Sequence, residues 1–163
     1  MKTIAIAFLS LLLAAVPALP GDPPVCTAKM VLNANDTSIA VNETATVTLF
    51  IKQDCESDAY QAFIVPSDPG VLTIESAAFD AGSPYTLPLI NTIHSGELDL
   101  AAGSLSPVTG GHTLATITVR GLSKGTSTLT FTNHQPNDIP SAVAVNGEYV
   151  PCGTYASQAI SVE

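Results

Sequence analysis

Tryptophan is absent from this chain, and basic residues are scarce. Five Lys and Arg face fourteen Asp and Glu among 163 residues, a formal net charge of −9. Such a surface repels nucleic acid and anionic lipid, so neither is expected as a partner. Without tryptophan, the flat aromatic strip that suits planar polysaccharides would rest on Tyr60, Tyr85, Tyr149 and Tyr155. Tyr149 and Tyr155 flank Pro151-Cys152-Gly153 and are the candidate rings for a small glycan site. Polysaccharide binding therefore stands as the alternative function.

Catalytic signatures are missing as well. His94, His112 and His134 lie at or near strand ends, and Asp99 and Ser104 are the acid and serine that a triad would need. No Gly-x-Ser-x-Gly elbow or Cys–His spacing joins them. Asp54, Glu56 and Asp58 alternate in one stretch, and alternating carboxylates can offer oxygens to calcium. The stretch lacks the glycine and distal glutamate of an EF-hand loop and reads as a solvated acidic loop. The expectation is a non-enzymatic protein with no catalytic residues, no metal and no cofactor.

There is one long apolar run, at the start. Lys2 supplies a positive charge, Thr3 to Ala15 is mostly apolar, and Val16-Pro17-Ala18 ends on a small residue. This is the pattern of an export signal and too short for a membrane span. Residues 1–18 are read as a cleaved signal peptide, 19–28 as a proline-rich extended lead-in and 29–163 as one domain. The expected localisation is secreted, with no membrane insertion. Removing Lys2 leaves four cations against fourteen acids. The cysteines are Cys26, Cys55 and Cys152. In an exported chain they are expected to be bridged, and an odd count leaves one over. Val25 before Cys26 does not suit lipidation. Asn35-Asp36-Thr37 and Asn42-Glu43-Thr44 are glycosylation sequons set in turns.

What is abundant is period-2 patterning. Ala45, Val47, Leu49 and Ile51 alternate with Thr44, Thr46, Thr48 and Phe50, which reads as a strand. Further strands are expected at 29–33, 60–65, 71–78, 87–93, 97–101, 113–119, 126–132 and 157–162. The chain reverses at Ser95-Gly96, and Asn146-Gly147 forms a hairpin-type turn after a short strand at 142–145. Nine or so strands without a helical period give an all-β sandwich.

Four segments in order carry a resemblance. They are Asn42-Glu43-Thr44-Ala45, Ser67-Asp68-Pro69-Gly70-Val71-Leu72, Gly111-His112-Thr113-Leu114-Ala115-Thr116-Ile117-Thr118-Val119 and Gly125-Thr126-Ser127-Thr128-Leu129. Together they resemble the cohesins, nine-stranded modules that bind dockerins in extracellular complexes. The likeness spans Lys29 to Val162. It departs where Ser67 replaces an aromatic and Val119 replaces a phenylalanine. The resemblance implies a nine-stranded sandwich of jelly-roll topology, shared with some carbohydrate-binding modules. It implies an extracellular protein partner, dockerin-like or other, held on the sheet of strands eight, three, six and five. Counting back from Asp68-Pro69, Gln61, Phe63 and Val65 should face the core, while Tyr60, Ala62 and Ile64 face out as partner-binding residues. The polar pair that cohesins often carry on that strand is missing at Tyr60 and Ala62. The outward row is therefore apolar, and it is open either to a partner or to a covering loop of this chain. The strand order also brings the three cysteines to one end. Cys26 with Cys152 is the pairing it favours, and Cys55 is the alternative partner.

Overall fold

The computed structural model describes residues 26–133 and 138–163. The signal peptide at 1–18, most of the lead-in and His134 lie outside the described residues. Eleven strands are formed: β1 (Ala28–Ala34), β2 (Ser38–Ile39), β3 (Thr44–Pro66), β4 (Leu72–Phe79), β5 (Leu87–His94), β6 (Glu97–Gly121), β7 (Gly125–Phe131), β8 (Ala142–Val145), β9 (Glu148–Pro151), β10 (Thr154–Ala156) and β11 (Gln158–Val162). Among the described residues no helix is long and apolar enough to cross a membrane.

Two strands are far longer than the sequence pattern implies. β3 joins the expected segments at 44–51 and 60–65, and β6 joins those at 97–101 and 113–119. The stretches around Asp54–Asp58 and Ser106–Gly111, expected as loops, are strand. Each long strand serves both layers of the sandwich. The first half of β3 pairs with β1 and with the second half of β6, whose other edge carries β4. The second half of β3 pairs with the first half of β6, whose other edge carries β5. On its remaining edge β3 takes β8 at Ala59–Gln61 and β7 at Ile64–Pro66. β11 then pairs with β7, and β2 with β11.

The turns follow their chemistry. Ser95 and Gly96 take φ of 52° and 87°, and Asn146 and Gly147 take 52° and 80°. Two consecutive positive φ values make the tight hairpin turns that match strand twist. Between the layers, Val47, Leu49, Ile51, Ile117, Val119, Leu129 and Ile160 are completely buried. The alternation expected from Ala45 to Ile51 holds.

Further along β3 the expected facing is reversed. Tyr60, Ala62 and Ile64 are 2 %, 0 % and 0 % exposed and belong to the core. They are not an outward, partner-binding row. Register shifts lie between Gln53 and Ser57 and between Ser57 and Ala59. Gln53 and Ser57 are both buried, so the inward set changes from odd to even positions at the second irregularity, between Ser57 and Tyr60. The opposite row is also withdrawn from solvent. Gln61 and Phe63 are 8 % and 6 % exposed. Gln61 Nε2 donates to Pro140 O (2.8 Å), and Phe63 N donates to Ser141 Oγ (2.9 Å). Pro140 and Ser141 thus bond to this opposite row, and the row expected to meet a partner or a covering loop lies in the core.

The disulfide also differs from the favoured pairing. β1 lies between antiparallel β3 and parallel β10, whereas the last strand, β11, pairs with β7 and β2. Gly153 N donates to Ala28 O (2.9 Å), so Cys152 does come to the end where β1 begins. The bridge, however, joins Cys26 to Cys55, with Cα atoms 5.1 Å apart. The β1–β3 ladder pairs Ala28 with Gln53, and carrying it two residues further sets Cys26 opposite Cys55. Cys152 is a free thiol packed in the core. Burial pushes it up to about 12 from an ordinary 9.0.

Two outcomes test this description. Ile64→Ala should cost about 2–5 kcal/mol by opening a cavity, and Ile64→Asp should prevent folding. Leu105→Asp, at a position 85 % exposed, should leave the thermal melt almost unchanged. Equal damage at the two positions would refute the assigned facing. For the cysteines, non-reducing peptide mapping should return Cys26 linked to Cys55. Replacing both by serine should cost about 3–4 kcal/mol for a closed loop of this size. Native protein at pH 8 should leave Cys152 unmodified by iodoacetamide. The neutral thiol favours the folded state, so its contribution is complete below 9.0 and is lost as pH rises towards 12. Rapid alkylation at pH 8 would contradict that burial.

Candidate functional site

The sheet made of β7 and β8, β3, β6 and β5 is where the resemblance places a partner. Its centre is closed by the chain itself. β3 shares one edge between β7 and β8, which leaves the Phe63 amide in the gap between them. A buried amide needs an acceptor, and Ser141 Oγ supplies it. Ser141 is 1 % exposed, and its carbonyl accepts a hydrogen bond from the Tyr155 hydroxyl. The Tyr155 ring rests on Phe131, with centroids 5.1 Å apart. Tyr155 is therefore held against the sheet, while Tyr149 stands 64 % exposed. The two rings expected to form one glycan site have separate roles.

The open part of the sheet is its β5 side. All eight residues of β5 are exposed. Leu87, Leu89, Ile90 and Ile93 are exposed by 40 %, 65 %, 45 % and 37 %, and Leu105, two residues beyond Gly103 on β6, by 85 %. Five of the nine large apolar side chains exposed among the described residues thus lie on β5 or just beside it. Large apolar side chains gathered at one strand mark an interaction surface more often than singly scattered ones do. The sequence pattern places a strand at 87–93 and singles out none of these side chains. The run of apolar residues on both strand faces was the available signal.

The other candidate groups have structural employment. Asp54 Oδ1 accepts from Thr27 N (2.7 Å), and Asp58 Oδ2 accepts from Asn146 N (2.9 Å). Cys26, Asp54 and Cys55 cluster within metal-ligand range, but both sulfurs are spent in the disulfide. Ser104 Oγ accepts from Ser106 N within its own turn (3.2 Å). His112 Nε2 lies 2.7 Å from Thr109 O, and His94 is exposed opposite Glu97 at the end of β5. The second sequon asparagine, Asn42, is exposed at φ 69°, and Asn35 Oδ1 accepts from Thr46 N (2.7 Å).

A buried polar cluster sits where β3 bends. Gln53 Nε2 lies within hydrogen-bond range of Ser57 Oγ (2.7 Å), Tyr85 Oη (2.9 Å) and Val108 O (2.7 Å). Ser57 Oγ and Tyr85 Oη are 2.6 Å apart. Burial raises the Tyr85 hydroxyl above its ordinary value, opposed by the bonds from Ser57 and Gln53. Tyr60, whose ring meets Tyr85 edge-on at 5.1 Å, is raised by burial and by Tyr85. These groups are enclosed and hold the bend.

No protein-family model and no curated protein matches the sequence. Solved structures do match. A cohesin module from a family 33 glycoside hydrolase of Clostridium perfringens aligns with a TM-score of 0.67 at 12 % identity, covering 85 % of this chain and 98 % of that one. The seventh type I cohesin of ScaB from Pseudobacteroides cellulosolvens gives 0.63 at 12 % identity, over 84 % and 92 % of the two chains. A type II cohesin–X-dockerin complex from Acetivibrio cellulolyticus gives 0.60 at 20 % identity, over 83 % and 99 %. At these identities the likeness speaks for architecture. The chain folds as a cohesin-like β-sandwich.

Proposed function

We propose that this chain is a secreted, non-enzymatic protein-interaction module that binds an extracellular protein, of dockerin-like or related type, through the sheet ending in β5. The observation that carries the reading is the exposed apolar row of Leu87, Leu89, Ile90, Ile93 and Leu105 on that sheet. The cohesin-like architecture supports it, since one structural neighbour is a cohesin–dockerin complex. The export signal in residues 1–18 and the Cys26–Cys55 bridge support secretion. Tyr60, Ala62 and Ile64 take no part in the contact, because they are buried.

Dockerin modules presented to the immobilised protein in surface plasmon resonance test the reading, with a glycan array in parallel. Saturable dockerin binding is expected. Leu89→Asp should weaken it by about tenfold or more while leaving the melting temperature in place, as a central apolar contact would. Glycan binding without any dockerin binding would instead favour the carbohydrate-binding alternative, with Tyr149 as its exposed ring.

A further inference from the structure

The apolar row has a second property that decides how a partner meets it. β5 is an edge strand. Among the described residues it pairs with β6 alone, so the backbone groups along its other side have no strand partner. Its apolar side chains also point both ways. Directly opposed residues on paired strands share a face. Leu87 and Ile90 oppose Gly103 and Ala101, on the outer face of β6. Ile93 opposes Leu98, which is completely buried on the core side. A helix laid on the outer face would cover Leu87 and Ile90 and leave Ile93 in water. A strand added along the edge would bring side chains against both faces at once.

Folded proteins usually guard such an edge with lysine, proline or a bulge. β5 has Pro88 and a register shift between Pro88 and Ile90, both near its start. From Ile90 to His94 the edge carries neither. Cations are also missing from the whole neighbourhood. Between Lys52 and Arg120 the sequence contains no lysine or arginine. At the start of β5, Asp80 shares a cleft of about 270 Å³ with Pro88, Ser83 and Phe79. A second copy of this chain would bring another −9 against this side, which disfavours self-pairing.

Resting on the protein-interaction reading, we infer that β5 is completed by an extended segment of a partner protein that carries lysine or arginine among β-branched residues and adds as a strand along the free edge. Backbone hydrogen bonds supply the common part of the affinity in this mode, and the alternating side chains supply choice. Leu89, Ile90 and Ile93 are the apolar contacts, and the acidic surroundings select the cationic segment.

The test uses a labelled peptide as long as β5, 8 residues, with valine and threonine alternating between terminal lysines. Binding is followed by fluorescence anisotropy and by amide hydrogen exchange of the folded protein. The lysine peptide should bind saturably and slow exchange within Leu89–His94. Its glutamate-ended counterpart, its version N-methylated at alternate amides, and the protein variant Leu89→Lys should each weaken binding by about tenfold or more. Three results would overturn the inference. One is no saturable binding of the lysine peptide up to about 1 mM. Another is equal binding of a lysine-bearing alanine–leucine helix without protection of β5. The third is concentration-dependent dimerisation in sedimentation that Leu89→Lys abolishes. Dockerin capture without peptide binding would leave the interaction module standing and remove only strand addition. Peptide binding and β5 protection without dockerin capture would leave strand addition standing and remove the dockerin-like partner.

Discussion

Two register shifts in β3, at Gln53/Ser57 and Ser57/Ala59, let a single strand leave one layer of the sandwich and enter the other. Everything downstream depends on them. Before the bend Val47, Leu49 and Ile51 fill the core; after it Tyr60, Ala62 and Ile64 do. A strand without the irregularity would keep odd positions inward and put Phe63 and Val65 there instead. The bend also exposes backbone that no ladder satisfies, so it must be held by other bonds. There the Gln53, Ser57 and Tyr85 side chains bond one another, and Gln53 also donates to the Val108 carbonyl of β6. The Cys26–Cys55 bridge fixes the same region to the start of β1. Each neutral hydrogen bond is worth only about 1 kcal/mol net, but a buried donor left alone costs more than that. The cluster is therefore best understood as the condition for the bend, with the stability it adds being secondary.

Much of the architecture was readable before any coordinates. Strict alternation from Ala45 to Ile51 marks a half-buried strand, and it is one. Asn146-Gly147 and Ser95-Gly96 mark tight turns because few other pairs tolerate two positive φ values, and both positions behave so. Gly125-Thr126-Ser127-Thr128-Leu129 places Ser127 and Leu129 in the core, as its pattern suggests. These features are local: a few residues determine them.

The parts that were not readable are those set at long range. A bulge in β3 leaves no mark in composition, and counting back from Pro69 crosses no visible boundary. The cysteine pairing was confined to three neighbours by strand order. The choice among them rests on one ladder register and on Cys152 turning into the core, and the alternation pattern carries neither. Phe63 reads as a core residue by that count, and the phase change in β3 turns it to the other face, where Ser141, 78 residues later, accepts from its amide. β5 reads simply as a strand, and its apolar content is that of a strand covered on both sides. The layer that would cover it is not supplied by the described chain.

That last mismatch follows from how the sheet is filled. One edge of β3 is shared by β7 and β8, and Pro140 and Ser141, just before β8, hydrogen-bond to Gln61 and Phe63. The centre of the sheet is thereby closed by short-range polar bonds that a partner would have to break. At the β5 edge the bond in the way is that from Asn91 Nδ2 to Ala77 O (2.8 Å), and the exposed groups include leucine and isoleucine. An incoming chain gains by removing apolar surface from water there and loses little, since that exposed bond and water are what it displaces. Acidic surroundings add a long-range preference for a basic partner that salt would weaken. In this chain, folded as a cohesin-like sandwich, the centre of the sheet is closed and exposed apolar side chains lie at its β5 rim.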